Sequence, residues 1–116
     1  MKTRVLRQRE WTICALETGP SCPAEDYIKS LQEQDKKKVL RLLEFAAENG
    51  PPINRQKFHK VQGDIYEFKS SQDRLLCFFQ PNRVIVLTHG LRKKQDRLDK
   101  TEIERAERLR EEFLGG

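Results

Sequence analysis

A chain of 116 residues has room for one hydrophobic core and not for two, so the expectation is a single domain over residues 1–116. Its 36% hydrophobic and 35% charged residues leave no stretch apolar enough to span a membrane, while clear periodic segments exclude a disordered chain. A net charge of +5 and a pI near 9.3 point away from acidic partners and toward polyanions, nucleic acid above all.

The basic start MKTRVLRQRE is not followed by the apolar region of a signal peptide, which places the chain in the cytoplasm. Trp11 to Leu16 (WTICAL) is apolar and partly β-branched and reads as a first strand. Gly19 and Pro20 make a turn. Pro23 opens a helix to Gln32, with Glu25 and Asp26 at its positive end and Ala24, Tyr27, Ile28 and Leu31 on its inward stripe. Asp35 is expected to cap a second helix. Val39, Leu42, Leu43, Ala46 and Ala47 share one side of it, and Asn49, Gly50, Pro51 and Pro52 end it. The pair forms a helical hairpin that lids a sheet. Cys14, Cys22 and Cys77 are an odd number with no metal-ligand or CxxC spacing, and read as buried apolar side chains in a reducing compartment.

Residues 57–94 carry three β-rich runs, Ile65 to Phe68, Leu75 to Phe79 and Val84 to Leu87, bounded by turn residues. Residues 51–100 hold eleven Lys or Arg against five Asp or Glu, so the charge surplus belongs to this strand region. The expected structure is an antiparallel meander. A two-residue turn at Pro81 and Asn82 sets Phe79 against Val84 and Arg74 against His89. The turn between Ser70 and Asp73 sets Lys69 against Arg74. Lys69, Arg74 and His89 then form a row on one face, with Leu76, Phe78, Ile85 and Leu87 further along it. Tyr66, Phe68, Leu75, Cys77, Phe79, Val84 and Val86 take the other face. Such a row of cations and a titratable His invites a phosphate. The competing reading has Lys69 and Arg74 as exposed hairpin-end charges and His89 as a hydrogen-bonded strand end. Turn length matters here, because a three-residue loop or a bulge slides the register by one.

Beyond Gly90 comes the basic loop LRKKQDRLDK, and then Asp99 or Thr101 caps a last helix. Thr101 and Glu104 have capping-box spacing, Ile103, Ala106, Leu109 and Phe113 form the apolar stripe, and Glu104 and Arg108 make a favourable pair. The fold class expected is α+β in the order β-α-α-β-β-β-α, a meander sheet packed by a helical hairpin and a C-terminal helix.

Four segments in this order resemble a known family. They are the lead-in and aromatic-Glu strand KFHKVQGDIYEFK, the Arg-led strand DRLLCFF, the strand end THGLRKK, and a helix bearing Glu102, Ile103 and Ala106. Together they are similar to RelE-like toxins of type II toxin–antitoxin pairs, in the HigB or phage-derived branch. The resemblance implies a single RelE-like domain of the microbial ribonuclease fold. It implies a metal-independent mRNA endoribonuclease, ribosome-dependent in action, with no cofactor, silenced by an antitoxin protein. Its partners would be mRNA and the ribosome, with no membrane involved.

Carried over by position, the catalytic candidates are Lys57, Lys69, Arg74 and His89. The RNA-binding candidates are His59, Lys60, Arg92, Lys93 and Lys94. The residue types suit cleavage by the 2′-hydroxyl, which needs a base, an acid and cations for the developing phosphorane charge. His89 supplies proton transfer and Arg74 grips a phosphate through its planar fork. Lys69 stands where the family commonly has Arg, Leu91 where it has an aromatic, and Leu98 and Asp99 where a Thr-Pro pair often opens the helix. One alternative is a non-catalytic nucleic-acid-binding or regulatory phage-derived module with the same fold. Another is a structural phage protein whose last helix docks a partner.

Overall fold

The computed structural model describes residues 1–94 and 97–115; Gln95 and Asp96, within the expected basic loop, lie outside the described residues. Nine elements follow in order: β1 (Lys2–Gln8), β2 (Thr12–Glu17), α1 (Pro23–Ser30), α2 (Glu33–Asn49), β3 (Phe58–Gln62), β4 (Ile65–Ser70), β5 (Asp73–Gln80), β6 (Val84–Arg92) and α3 (Lys100–Gly115). The six strands form one sheet in the order β1-β2-β6-β5-β4-β3. Among the described residues the second and third strands of this order, β2 and β6, pair in parallel, and the other neighbours are antiparallel.

The expected order of strand, helical hairpin, meander and last helix is present, with a further strand at each sheet edge. At one edge β1 arises from the basic start, whose only apolar residues within the strand, Val5 and Leu6, are too short a run to announce it. Arg4 ion-pairs Glu17 at 2.7 Å and also meets Glu25, while Arg7 and Arg9 reach Glu44 at 3.7 and 3.0 Å. A charged edge of this kind resists pairing with another chain. At the other edge β3 comes from the lead-in expected as a loop. It turns into β4 at Gly63, whose φ of 55° lies where glycine escapes the Cβ penalty. Helix α2 begins at Glu33, two residues before the expected cap Asp35, because Gln32 already has the extended backbone of a cap residue.

The meander register differs from expectation in two steps. The β5–β6 loop has three residues, Pro81 to Arg83, with Asn82 and Arg83 both in the left-handed region at φ 70° and 59°. Gln80 therefore faces Val84, one residue later than a two-residue turn would give. A second slip at Leu76/Cys77 sets Leu76 against His89 and Arg74 against Leu91. Thr88, fully buried at this irregularity, hydrogen-bonds the Leu76 carbonyl at 3.2 Å. The single slip near the loop moves Ile85 and Leu87 to the face opposite the expected one. Two slips restore parity further along, so Arg74 and His89 share a face without being partners. The expected pairing of Lys69 with Arg74 is present.

Each face of the sheet has its own core. Ile13, Ala15, Phe68, Leu75, Cys77, Ile85 and Leu87 pack against Val39, Leu43, Ala46 and Ala47 of α2 and Ala24 and Ile28 of α1. On the other face Cys14, Leu16, Ile65, Leu76, Phe78 and Val86 pack against Ala106 and Leu109 of α3. All three cysteines are buried and free, and burial raises their thiol pKa, so they act as small apolar residues. No helix among the described residues is long and apolar enough to cross a membrane.

Candidate active site at the basic end of the sheet

Beside α3, the sheet carries polar side chains where apolar ones would be expected. His59, Glu67, Leu76 and His89 are successive cross-strand partners over β3, β4, β5 and β6. The next row outward holds Lys69 and Arg74. Glu67 and Arg74 are 5% and 6% exposed, an environment in which charges persist only when paired or bonded.

Arg74 is fastened by the tip of the β4–β5 hairpin. Its Nη1 donates to the carbonyls of Ser71 (2.7 Å) and Asp73 (3.0 Å). The tight turn makes this possible, because Ser71 takes a φ of 57° and directs its carbonyl back. Glu67 accepts from His59 Nε2 through Oε1 at 2.5 Å. A carboxylate only accepts, so Nε2 carries the proton and Nδ1 is left as the acceptor. The remaining atoms form an unusual pair: Glu67 Oε2 and Arg74 Nε lie 3.9 Å apart, too far for a hydrogen bond, and both are buried without a partner. A hydroxyl group or a water, donating to Oε2 and accepting from Nε, would satisfy both, whereas a phosphate oxygen would satisfy Nε alone.

His89 is in a different situation. It is 1% exposed, wedged between sheet and α3, with Nε2 3.1 Å from Glu102 Oε1 and Nδ1 3.1 Å from Thr88 Oγ1. Burial, helped by Arg105 and Arg108 of α3, outweighs Glu102 and holds its pKa below the ordinary 6.5. The helix is fixed here by Asp99, not Thr101: Asp99 Oδ1 accepts from Thr101 N (2.9 Å) and Oγ1 (2.8 Å).

A pH dependence follows. The unfolded chain takes up the His89 proton near 6.5 and the folded chain only at lower pH, so the unfolded state binds more protons in between. Stability from this group is complete above that range and is lost as pH falls through it. Thermal unfolding from pH 7.5 to 5.5 is expected to show a falling Tm, and His89→Gln a shallower fall; equal slopes would remove His89 as the cause.

The other candidates separate. Lys57 lies just before β3, and its carbonyl accepts from Lys69 N at 2.9 Å. Arg92 pairs in register with Asp73, with Nη1 3.8 Å from its Oδ1, and Lys93 N donates to Gln72 O at 2.7 Å. With Lys94 they line a hollow at the start of α3. Lys60 falls elsewhere, its Nζ 5.9 Å from the Tyr66 ring centroid on the hairpin face. Glu67 and Asp73 were not among the residues singled out from sequence. The available signal was that Glu67 alternates with Ile65 on an inward face, so its carboxylate had to be buried. Asp73, 2% exposed, accepts from Tyr27 Oη at 2.5 Å and ties the Arg74 strand to α1. Burial, and then that bond, raise the Tyr27 pKa. Among the described residues no group of three or more His, Cys, Asp or Glu is placed to hold a metal.

A mixed sheet lidded by a helical hairpin, with a cationic end beside the last helix, makes this an α+β protein. The chain belongs to the family described as phage derived protein Gp49-like (DUF891), which it matches over residues 26–111. No curated protein matches it. Among solved structures it is similar to the RelB–RelE antitoxin–toxin complex of Methanococcus jannaschii, with 11% identity, a TM-score of 0.51, and coverage of 60% of this chain and 82% of that one. The isolated Escherichia coli RelE toxin aligns at 18% identity and a TM-score of 0.49, over 74% of this chain and 89% of that one. At these identities the likeness concerns fold.

Proposed function

We propose that this protein is the toxin of a type II toxin–antitoxin pair, a cytoplasmic endoribonuclease that cleaves mRNA through its own 2′-hydroxyl, without a metal, on the ribosome. The observation that carries the reading is the unpartnered Glu67 Oε2 and Arg74 Nε, held beside His59 on a cationic face. Arg74, already oriented by the hairpin tip, receives a phosphate oxygen through its free donors. Fixed donors cost no reorganisation as phosphorane charge develops. His59, with Nε2–H held by Glu67, takes the 2′-hydroxyl proton at Nδ1 as the 2′-oxygen attacks phosphorus, and the departing 5′-oxygen takes a proton from water. Lys57 and Lys69 add charge, and Arg92, Lys93 and Lys94 hold the RNA backbone. This assigns the base to His59 in place of His89, whose ring nitrogens are both engaged under α3. His89 instead keeps α3 on the sheet. A fold shared with the toxin of an antitoxin–toxin complex supports a proteinaceous antitoxin as partner.

Induction of the intact protein in a bacterial host is expected to arrest growth and fragment mRNA, leaving 2′,3′-cyclic phosphate and 5′-hydroxyl ends. Purified protein with programmed ribosomes should reproduce the cuts, and naked mRNA should be cut far more slowly. Unimpaired growth and intact mRNA from a folded, soluble product would favour instead a non-catalytic nucleic-acid-binding module.

A further inference from the structure

Helix α2 has a second stripe, of which only Leu42 also packs against the core. Val39, Leu43, Ala46 and Ala47 pack on the sheet. Lys38, Arg41, Leu42 and Phe45, spaced i, i+3, i+4 and i+7, instead form one wall of a cleft of about 700 Å³. Lys57 and Lys69 stand on the other wall, where the sheet ends. The cleft size is within the roughly 300–1,000 Å³ of small-ligand sites.

Its chemistry is specific in two respects. Two walls contribute four cations, no acidic residue lines the cleft, and none of the four is in an ion pair among the described residues. Elsewhere Arg4, Arg7, Arg9, Arg83, Arg92 and Arg110 meet carboxylates, whereas among the described residues Lys36, Lys37 and Lys60 do not; what sets the cleft apart is that its four cations stand on two facing walls. Phe45 is the second respect. It is 48% exposed on an otherwise charged helix face, with Leu42 one turn back. Unpaired cations facing each other across an exposed aromatic ring match what single-stranded nucleic acid requires: charge to track phosphates and a π-face on which a base stacks.

We propose that this cleft is a second RNA subsite, which binds single-stranded RNA flanking the cleaved phosphate and stacks a base on Phe45. The inference rests on the RNA reading of the sheet end. Lys69 joins the two places: it lines the cleft and is the cross-strand partner of Arg74. Lys69 thus stands at the sheet end between the candidate active site on the α3 side and the cleft on the α2 side. An acidic protein segment is the rival occupant, but charge alone would satisfy it without an exposed ring between the cations.

The test separates this inference from the cleavage reading by using an uncleavable probe, a fluorescein-labelled 2′-O-methyl octaribonucleotide, with affinity followed by anisotropy at several salt concentrations. Lys38→Ala with Arg41→Ala is expected to weaken binding and to flatten the slope of log affinity against log salt by about 1.4, two single-strand phosphate contacts. Phe45→Ala should weaken binding about tenfold, the lower part of the range for one stacked base, and leave the salt slope unchanged. All three positions are exposed on α2 and outside the cleavage machinery, and circular dichroism checks that the helix survives. RNA affinity and slope unaltered in both variants, with the wild type binding, would overturn the subsite and leave the cleavage proposal standing. A wild-type protein that does not bind the probe would likewise overturn the subsite, while the cleavage reading is decided separately by mRNA integrity after induction and by cutting on programmed ribosomes.

Discussion

Glu67→Gln is expected to lower the RNA cleavage rate by about 10²–10⁴-fold, the contribution of a positioned proton-transfer group, while leaving affinity for the uncleavable octaribonucleotide within about twofold. The substitution keeps shape and volume but reverses a hydrogen bond. A glutamine amide turned to donate to His59 Nε2 forces the ring proton onto Nδ1, the nitrogen that must accept, and an amide turned the other way loses the charge that stabilises an imidazolium. The companion change is Arg74→Lys. It retains a cation beside the buried Glu67, whereas Arg74→Ala would leave that carboxylate uncompensated, a loss of about 3–5 kcal/mol that confuses catalysis with folding. Lysine lacks the fork that bonds Ser71 and Asp73 carbonyls while offering further donors, so cleavage should fall about 10²–10³-fold in a folded protein. Cleavage undiminished in Glu67→Gln would remove the His59–Glu67 pair as the base and return attention to His89.

Much of this architecture is legible in the residues because local and tertiary preferences agree. Of the expected stripe Val39, Leu42, Leu43, Ala46 and Ala47, all but Leu42 are fully buried as their spacing demands, and Ala106 and Leu109 are buried on α3. The short Ser71–Gln72 turn leaves one way to pair Lys69 with Arg74. What escaped sequence reasoning depends on partners distant in the chain. Strand β1 has few apolar residues, and its charges are matched by Glu17, Glu25 and Glu44 from three other elements. Strand β3 has a strand's burial only because Phe58 stacks on Tyr66 and packs against Phe68. The β5–β6 register turned on two left-handed residues, Asn82 and Arg83, the second of a type that gives little warning of it. The candidate site inherited that uncertainty. Counting back from the wrong loop pairs His89 with Arg74, and the pairing hides the role of α3 in covering His89. Glu67 was missed for another reason: its importance lies in what it does not bond, and an unsatisfied atom is visible only once every neighbour is in place.

Gly90→Ala is expected to be among the most destabilising single-methyl additions in the protein, costing about 2–4 kcal/mol in urea unfolding, because overpacking and the loss of a charged hydrogen bond combine. A Cβ at Gly90 would stand 2.4 Å from Tyr27 Cδ2, 2.6 Å from Tyr27 Cγ and 2.9 Å from Leu75 Cδ2. Those ring atoms are near the α1 backbone, so rotating a side-chain tip gives no relief. The far end of Tyr27 is held too, by Asp73 at 2.5 Å. Relief therefore requires α1 to lift from β6 or the Tyr27–Asp73 bond to break, and the second route disturbs the carbonyl that holds Arg74 Nη1. Gly19 provides the contrast: at φ 64° with open space around it, alanine there costs only the backbone term, about 1–2 kcal/mol. The cause can be isolated in a double variant. Tyr27→Ala is destabilising by itself, but in its background the added methyl at position 90 has lost the ring atoms it met most closely, so Gly90→Ala should cost under about half its value in the wild type. An undiminished cost there would mean that the strain lies against Leu75 or in the strand itself.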